Sequence, residues 1–429
     1  MGRVKHFISN LGLCSIIFLW SIQIPIIGLV IDGFPIYLFF VPLLIFINGL
    51  KKNYLTLSIS LLCFLYGLLF FQVFFQTVLL SSLPKMVSSI FVISFLLPAI
   101  YYWFENSKIF AHKYLIRMLK FFLLLQVFLM IIEIFNIYPF NLVLPPKNYF
   151  HFLFSFSRPT GFFTEPSHIA ISLSLFYFLA INQKNWFKKQ FGYSSIIILF
   201  IIVVLSPSAS LFAVIILSFI IVILSNFRIN GKRLFRFIQY VFLTVAIYFL
   251  IINYIPNIGD RVSSLIKFVQ FGALASVRND SVLAFIKGYQ MASYALINYP
   301  LGVGFLNMEV LNEYSSVSDM NQYLFLLNKG DGASMLFKII SEFGIIGFIF
   351  YFGMLWRLIK LARNNVNVFE QAFLFAFIAT GIRGTTYFDG SLLLGISIYV
   401  FHLRKKFIAI LGAIVKSNTD RKSTFSFKY

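Results

Sequence analysis

Three arginines and a small set of carboxylates stand out in a chain that carries few charges. The stretch SFSRPTGFFTEPSHIAISL, residues 155 to 173, holds Arg158, Glu165 and His168, and its backbone is stiffened by Pro159, Gly161 and Pro166. Arg278 lies in ASVRNDSVLAF beside Asp280. Arg383 lies in ATGIRGTTYFDG, with Gly381 and Gly384 around it and Asp389 following. Guanidinium groups keep their charge when buried and grip phosphate oxygens in bidentate geometry, so Arg158, Arg278 and Arg383 suit a lipid-borne pyrophosphate. Glu165 opens the helix that follows this stretch, and Glu133, about a turn inside the outer end of its helix, is a secondary candidate. His151 and His168 form no HxxxH or HExxH set, so no metal centre is expected, and His168 reads as packed in its helix.

Each of these charges also has a structural reading. Glu165 can sit at the positive end of the following helix while Arg158 touches a lipid headgroup. Arg278 can pair with Asp280 on the surface, and Asp389 can neutralise Arg383. Lys338 and Glu342, four apart at the start of a helix, can satisfy each other. Arg383 argues most strongly for a site, because ionisable residues inside membrane segments usually mark a pathway or a ligand.

The elements that must position these groups follow from composition. The chain has 429 residues, of which 60% are hydrophobic, 57 are phenylalanine and only 11% are charged. That is well below the roughly one quarter charged residues of a soluble domain. An all-α polytopic membrane protein is expected. The net charge of +21 resembles that of a nucleic-acid binder, but the basic residues concentrate in short loops between apolar runs, so nucleic acid is set aside. Cys14 and Cys63 both lie in apolar runs, which leaves no disulfide framework. There is no GxxxxGK[ST] loop and no DxD pair, and no cofactor is expected.

A span needs about 20 apolar residues. Candidates fall near 8 to 30, 35 to 50, 54 to 76, 86 to 104, 118 to 137, 166 to 182, 194 to 206, 209 to 225, 235 to 255, 335 to 357, 368 to 386 and 390 to 403. The resulting organisation has nine transmembrane helices over 1–255, with an outer loop near 138–165. A large outer loop with short helices over 256–334 follows, then three more helices over 335–403 and a cytoplasmic tail over 404–429. Of the 35 basic residues, only Lys85, Lys147, Arg158, Arg261, Lys267, Arg278, Lys287, Lys329, Lys338 and Arg383 then fall outside, so both termini are expected in the cytoplasm.

With those residues placed, the chain resembles the Wzy-type polymerases of bacterial O-antigen and capsule repeat units, within the wider group that includes the O-antigen ligases. RPTGFFTEPSHIA looks like the polymerases' Arg-x-x-Gly...Glu-Pro-Ser helix start. VRNDSVLAFIKGYQMASYALINYPLGVGFLN looks like their loop segment that opens with arginine and closes on Pro-x-Gly-x-Gly, and SMLFKIISEFGIIGFIFYF is similar to the Glu-x-Gly-x-x-Gly helix after the loop. The resemblance implies a metal-independent membrane glycosyltransferase of GT-C-like architecture in the bacterial inner membrane, with its site facing outward. Its substrates would be undecaprenyl-pyrophosphate-linked oligosaccharides, and its partners membrane lipids and a chain-length regulator and flippase of the same pathway. The ligases' histidine-asparagine pair has no counterpart in LNKGDGASMLF, which favours polymerase over ligase. The long late loop favours both over a flippase of lipid-linked oligosaccharides.

Overall fold

The computed structural model describes residues 24–26, 29–31, 52–75, 83–110, 112–134, 151–152, 156–157, 166–206, 208–225, 263–264, 277, 280–320, 322–326, 333–364, 366–383, 392–404 and 406. These residues are overwhelmingly helical. Helices α1 (Lys52–Phe74), α2 (Leu83–Phe110) and α3 (His112–Ile134) lead to α4 (Pro166–Asn182), α5 (Lys184–Phe191), α6 (Tyr193–Leu205) and α7 (Ala209–Ser225). After these come α8 (Asp280–Asn298), two 3-10 turns (Met308–Tyr314 and Ser318–Met320), α9 (Gln322–Leu326), α10 (Met335–Asn364), α11 (Val368–Thr380) and α12 (Leu392–Arg404). Extended pairing among the described residues consists of two small antiparallel ladders, Ile24–Ile26 with Leu29–Ile31 and His151–Phe152 with Phe156–Ser157.

The helices follow the expected apolar runs closely. Those runs are rich in leucine, isoleucine and phenylalanine, and their ends carry recognisable breakers. Pro166 opens α4 at a position where a missing amide hydrogen costs nothing. Gly192 turns the chain by 104° between α5 and α6 through its φ of 81°. Ser208 starts α7 by accepting the Leu211 amide hydrogen on its Oγ at 3.1 Å. The first expected span differs at its end. In IPIIGLVI, Ile24–Ile26 pairs antiparallel with Leu29–Ile31, as a proline followed by β-branched residues favours. The remainder of that span and those near 35 to 50 and 235 to 255 lie outside the described residues.

By length and composition, α1, α3 and α10 can each cross a bilayer, and the bent pair α5 and α6 would make a fourth; α4, α7, α11 and α12 carry shorter apolar runs. Apolar side chains point outward along these helices: Phe64, Phe70 and Phe71 on α1, Phe121 and Phe128 on α3, and Ile345, Ile349 and Phe352 on α10. Faces of this kind would be untenable in water but suit lipid. Helix α11 lies at the centre, with every residue from Phe369 to Thr380 buried against α4, α7 and α10. Lipid tails are as apolar as the core, so close packing must hold this centre together. Phe178 stacks on Phe375 at 4.5 Å, and Gly395 of α12 sits where a Cβ would meet that of Phe377 at 2.5 Å.

At one end of the bundle a polar network ties three helices. Arg357 of α10 donates Nε and Nη2 to Glu370 Oε1 at 3.2 and 3.0 Å, and Asn367 Nδ2 donates to Glu370 Oε2 at 3.1 Å. Gln371 donates to the carbonyls of Leu361 and Val366 and accepts from Asn182 Nδ2 at 2.9 Å.

Candidate functional site

At the opposite end, the run SEFGIIG interrupts α10. Gly344 has φ 55° and ψ −135°, values that open the helical hydrogen-bond ladder. The segment Pro300-Leu301-Gly302-Val303-Gly304 fills the opening with its own backbone. The Ile345 amide donates to Pro300 O at 2.8 Å, the Val303 amide to Ser341 O at 3.0 Å and the Gly304 amide to Glu342 O at 3.1 Å. Only glycine allows so close an approach: a Cβ on Gly302 would lie 2.3 Å from the Glu342 carbonyl, and one on Gly344 would lie 2.0 Å from Pro300 O.

Two polar side chains seal this junction. Gln72, 1% exposed near the end of α1, donates its Nε2 to Leu301 O at 2.8 Å and to Glu342 O at 2.9 Å. Glu342, fully buried, accepts the Leu306 amide hydrogen on Oε2 at 2.8 Å. Leu306 has φ 58°, a left-handed conformation unusual for a side chain of its size, and the carboxylate holds it there. The structure therefore gives Glu342 a partner on the loop.

An apolar cavity of about 170 Å³ lies beside the junction, between α1, α2, α10 and α12. Leu65, Leu69, Ile93 and Phe350 line its body, and Gln72, Phe305 and Phe343 lie at the junction end. Its size compares with the roughly 150 Å³ cavity that takes up benzene. Arg383 stands at the same end of the bundle, half-buried, in the turn that follows the central helix α11. That turn is fixed from two sides, since Ser334 Oγ donates to Gly381 O at 2.5 Å and Tyr351 Oη donates to Ile378 O at 2.8 Å.

The remaining candidates are distributed unevenly. Arg158, Glu165, Arg278 and Asp389 lie outside the described residues. His168 is half-buried in the first turn of α4, and Glu133 is half-buried at the end of α3. Asp280 is exposed at the start of α8, where Tyr323 Oη donates to it at 3.3 Å, and its charge raises the Tyr323 pKa. Among the described residues no group of histidine, cysteine and carboxylate side chains is arranged to hold a metal.

Lys287, one of the basic residues expected on the outer side, is fully buried. Its Nζ donates to Leu324 O at 2.9 Å and Phe325 O at 2.8 Å, fastening α8 to α9. The residues that sequence reasoning passed over as site builders are Gln72, Glu342, Gly302 and Gly344. The signal for three of them was present in PLGVG and SEFGIIG. Gln72 carried none, because its partners lie far along the chain. No family model, curated protein or solved structure matches this chain.

Proposed function

We propose that this protein is a membrane glycosyltransferase that polymerises lipid-linked oligosaccharide repeat units on the outer face of the inner membrane, within the twelve-span architecture outlined from sequence. One juxtaposition carries this reading: an apolar cavity opens beside the junction of the two segments that resemble the polymerases, next to the end of the bundle that bears Arg383. A substrate with a polyisoprenoid tail and a pyrophosphate head needs such neighbours, an apolar slot for carbon and cations for phosphate.

In the proposed reaction the hydroxyl of an incoming repeat unit attacks the anomeric carbon of the growing glycan. The new glycosidic bond forms as the carbon–oxygen bond to undecaprenyl pyrophosphate breaks. The hydroxyl proton passes to a carboxylate, with Glu165 as the first candidate, and the bonding electrons leave with the pyrophosphate. Charge developing on that leaving group is balanced by Arg158, Arg278 and Arg383, a preorganised electrostatic contribution. Because the leaving group is so good, the demand on a general base is small.

The test is purified protein incubated with defined lipid-linked repeat units, the products being resolved by length. Chain extension that disappears in Arg383→Ala and Arg278→Ala, with normal amounts of protein in the membrane, is the expected result. Normal polymer length in both variants would remove the phosphate-binding assignment. Single repeat units accumulating on the cytoplasmic face of cells lacking the gene would point to flipping instead.

A further inference from the structure

The late loop reaches deeper than a structure resting on the outer face. On α10 the basic residues Arg357, Lys360 and Arg363 mark one membrane boundary. From Arg357 back to Gly344 at 1.5 Å per residue is about 20 Å, and the hydrocarbon layer is about 30 Å thick. Gly344 thus lies about 10 Å inside the opposite boundary. The Ile345 amide bonds Pro300 O at 2.8 Å, so Pro300 lies at the same depth.

The last turn of α8, just before Pro300, exposes two apolar side chains ahead of the exposed Asn298. Leu296 and Ile297 are 37% and 78% exposed in the last turn of α8. The bond between Pro300 and Ile345 brings the chain to the point on α10 where an exposed stripe begins at Ile345 and continues through Phe348, Ile349 and Phe352. Higher on α8, Phe285 and Tyr289 meet Phe337 near the start of α10, so α8 runs alongside the first half of that helix as it descends. The polar backbone of the tip is taken up within the protein. Pro300 O bonds Ile345, Leu301 O bonds Gln72, and Val303 O accepts from Asn307 Nδ2 at 2.9 Å. The amides of Val303, Gly304 and Leu306 bond Ser341, Glu342 O and Glu342 Oε2. Irregular backbone survives at hydrocarbon depth only on such terms.

We propose that the chain from Leu296 to Phe305 re-enters the bilayer from the loop side, with Leu296 and Ile297 against lipid acyl chains. The PLGVG turn is then the tip of a re-entrant segment wedged into a broken membrane helix. Phe305 leads back out along the apolar cavity. This placement is independent of the chemistry proposed above.

Spin labels on single cysteines test it in reconstituted full-length protein, with Cys14→Ser and Cys63→Ser as background. Ile349→Cys supplies the lipid-facing reference and Ser316→Cys the aqueous one; both parent residues are exposed. The label at Ile297→Cys is expected to relax several-fold more with oxygen than with a water-soluble nickel chelate, as at Ile349→Cys and opposite to Ser316→Cys. A chelate-dominated response would overturn the proposal, because the turn would then lie in water. Exclusion of both relaxants would also overturn it, because protein would then cover the face. If Ile297→Cys does not elute as folded protein, Leu296→Cys one position earlier answers the same question.

Discussion

Replacing Gly302 by alanine tests the backbone-to-backbone junction most directly. The added Cβ would stand 2.3 Å from both C and O of Glu342 and 2.5 Å from the Phe343 nitrogen, against 3.4 Å or more for an ordinary contact. All three are backbone atoms, so no side chain can swing aside. Relief requires the two segments to part by about 1 Å. The bonds from Val303 to Ser341 and from Gly304 to Glu342, now 3.0 and 3.1 Å, would then exceed hydrogen-bonding distance. Two lost bonds contribute about 1 kcal/mol each, and alanine at φ 80° adds about 1 to 2. The sum is about 3 to 4 kcal/mol, which at roughly 2 °C per kcal/mol lowers the melting midpoint by about 6 to 8 °C. Gly67→Ala is the matched control, since its Cβ meets nothing within 4 Å and alanine favours the helix by about 1 kcal/mol. Thermal unfolding of both variants in detergent, followed by size-exclusion chromatography, reads the difference. Equal midpoints for Gly302→Ala and Gly67→Ala would refute the interlocked junction.

Gln72→Leu should lower the melting midpoint by about 4 °C, because the carbonyls of Leu301 and Glu342 lose a shared donor worth about 2 kcal/mol; Gln72→Glu should be worse, as it sets a charge against two carbonyls. A midpoint unchanged in Gln72→Leu would show that α1 does not hold the loop. Glu370→Gln should destabilise by about 1 to 3 kcal/mol, since it strands Arg357 and the pair is only partly exposed. The double variant Arg357→Met with Glu370→Met should lose less than the sum of the single changes, and strict additivity in thermal melts would rule out the pairing as a source of stability. Lys287→Met should loosen α9, leaving the global midpoint little changed but speeding chymotryptic cleavage near Phe325 several-fold. Unchanged cleavage would show that the ammonium is not what fastens that helix.

Hydropathy and helix breakers made most of the helices legible, because both act locally. Pro166, Gly192 and Ser208 stop or start helices, and a long apolar run at membrane depth satisfies its own backbone most simply as a helix. The break at Gly344 was not legible in the same way. Read alone, residues 335 to 357 form one apolar stretch with glycines a helix can tolerate, and only the approach of Pro300 turns Gly344 into an opening. The partners of Glu342 and Lys287 were illegible for the same reason: Glu342 accepts from an amide 36 residues away, and Lys287 donates to carbonyls 37 and 38 residues away.

These long-range partnerships share one physical cause, and it bears on the function proposed. A turn that enters a membrane layer carries more unsatisfied backbone than its own residues can absorb. Donors and acceptors must therefore be borrowed from distant elements, and here they come from Gln72, Ser341, Glu342 and Ile345. Such borrowing fixes the loop against α1 and α10 at once. The turn that carries Arg383 is held at Gly381 O by Ser334, at the start of the helix that the loop interrupts. A cation held on the same scaffold as an apolar slot cannot drift relative to it. Rigid registration between an anion-binding group and a chain-binding cavity is what a lipid-linked phosphate requires, and a lysine or arginine free in the headgroups could not supply it.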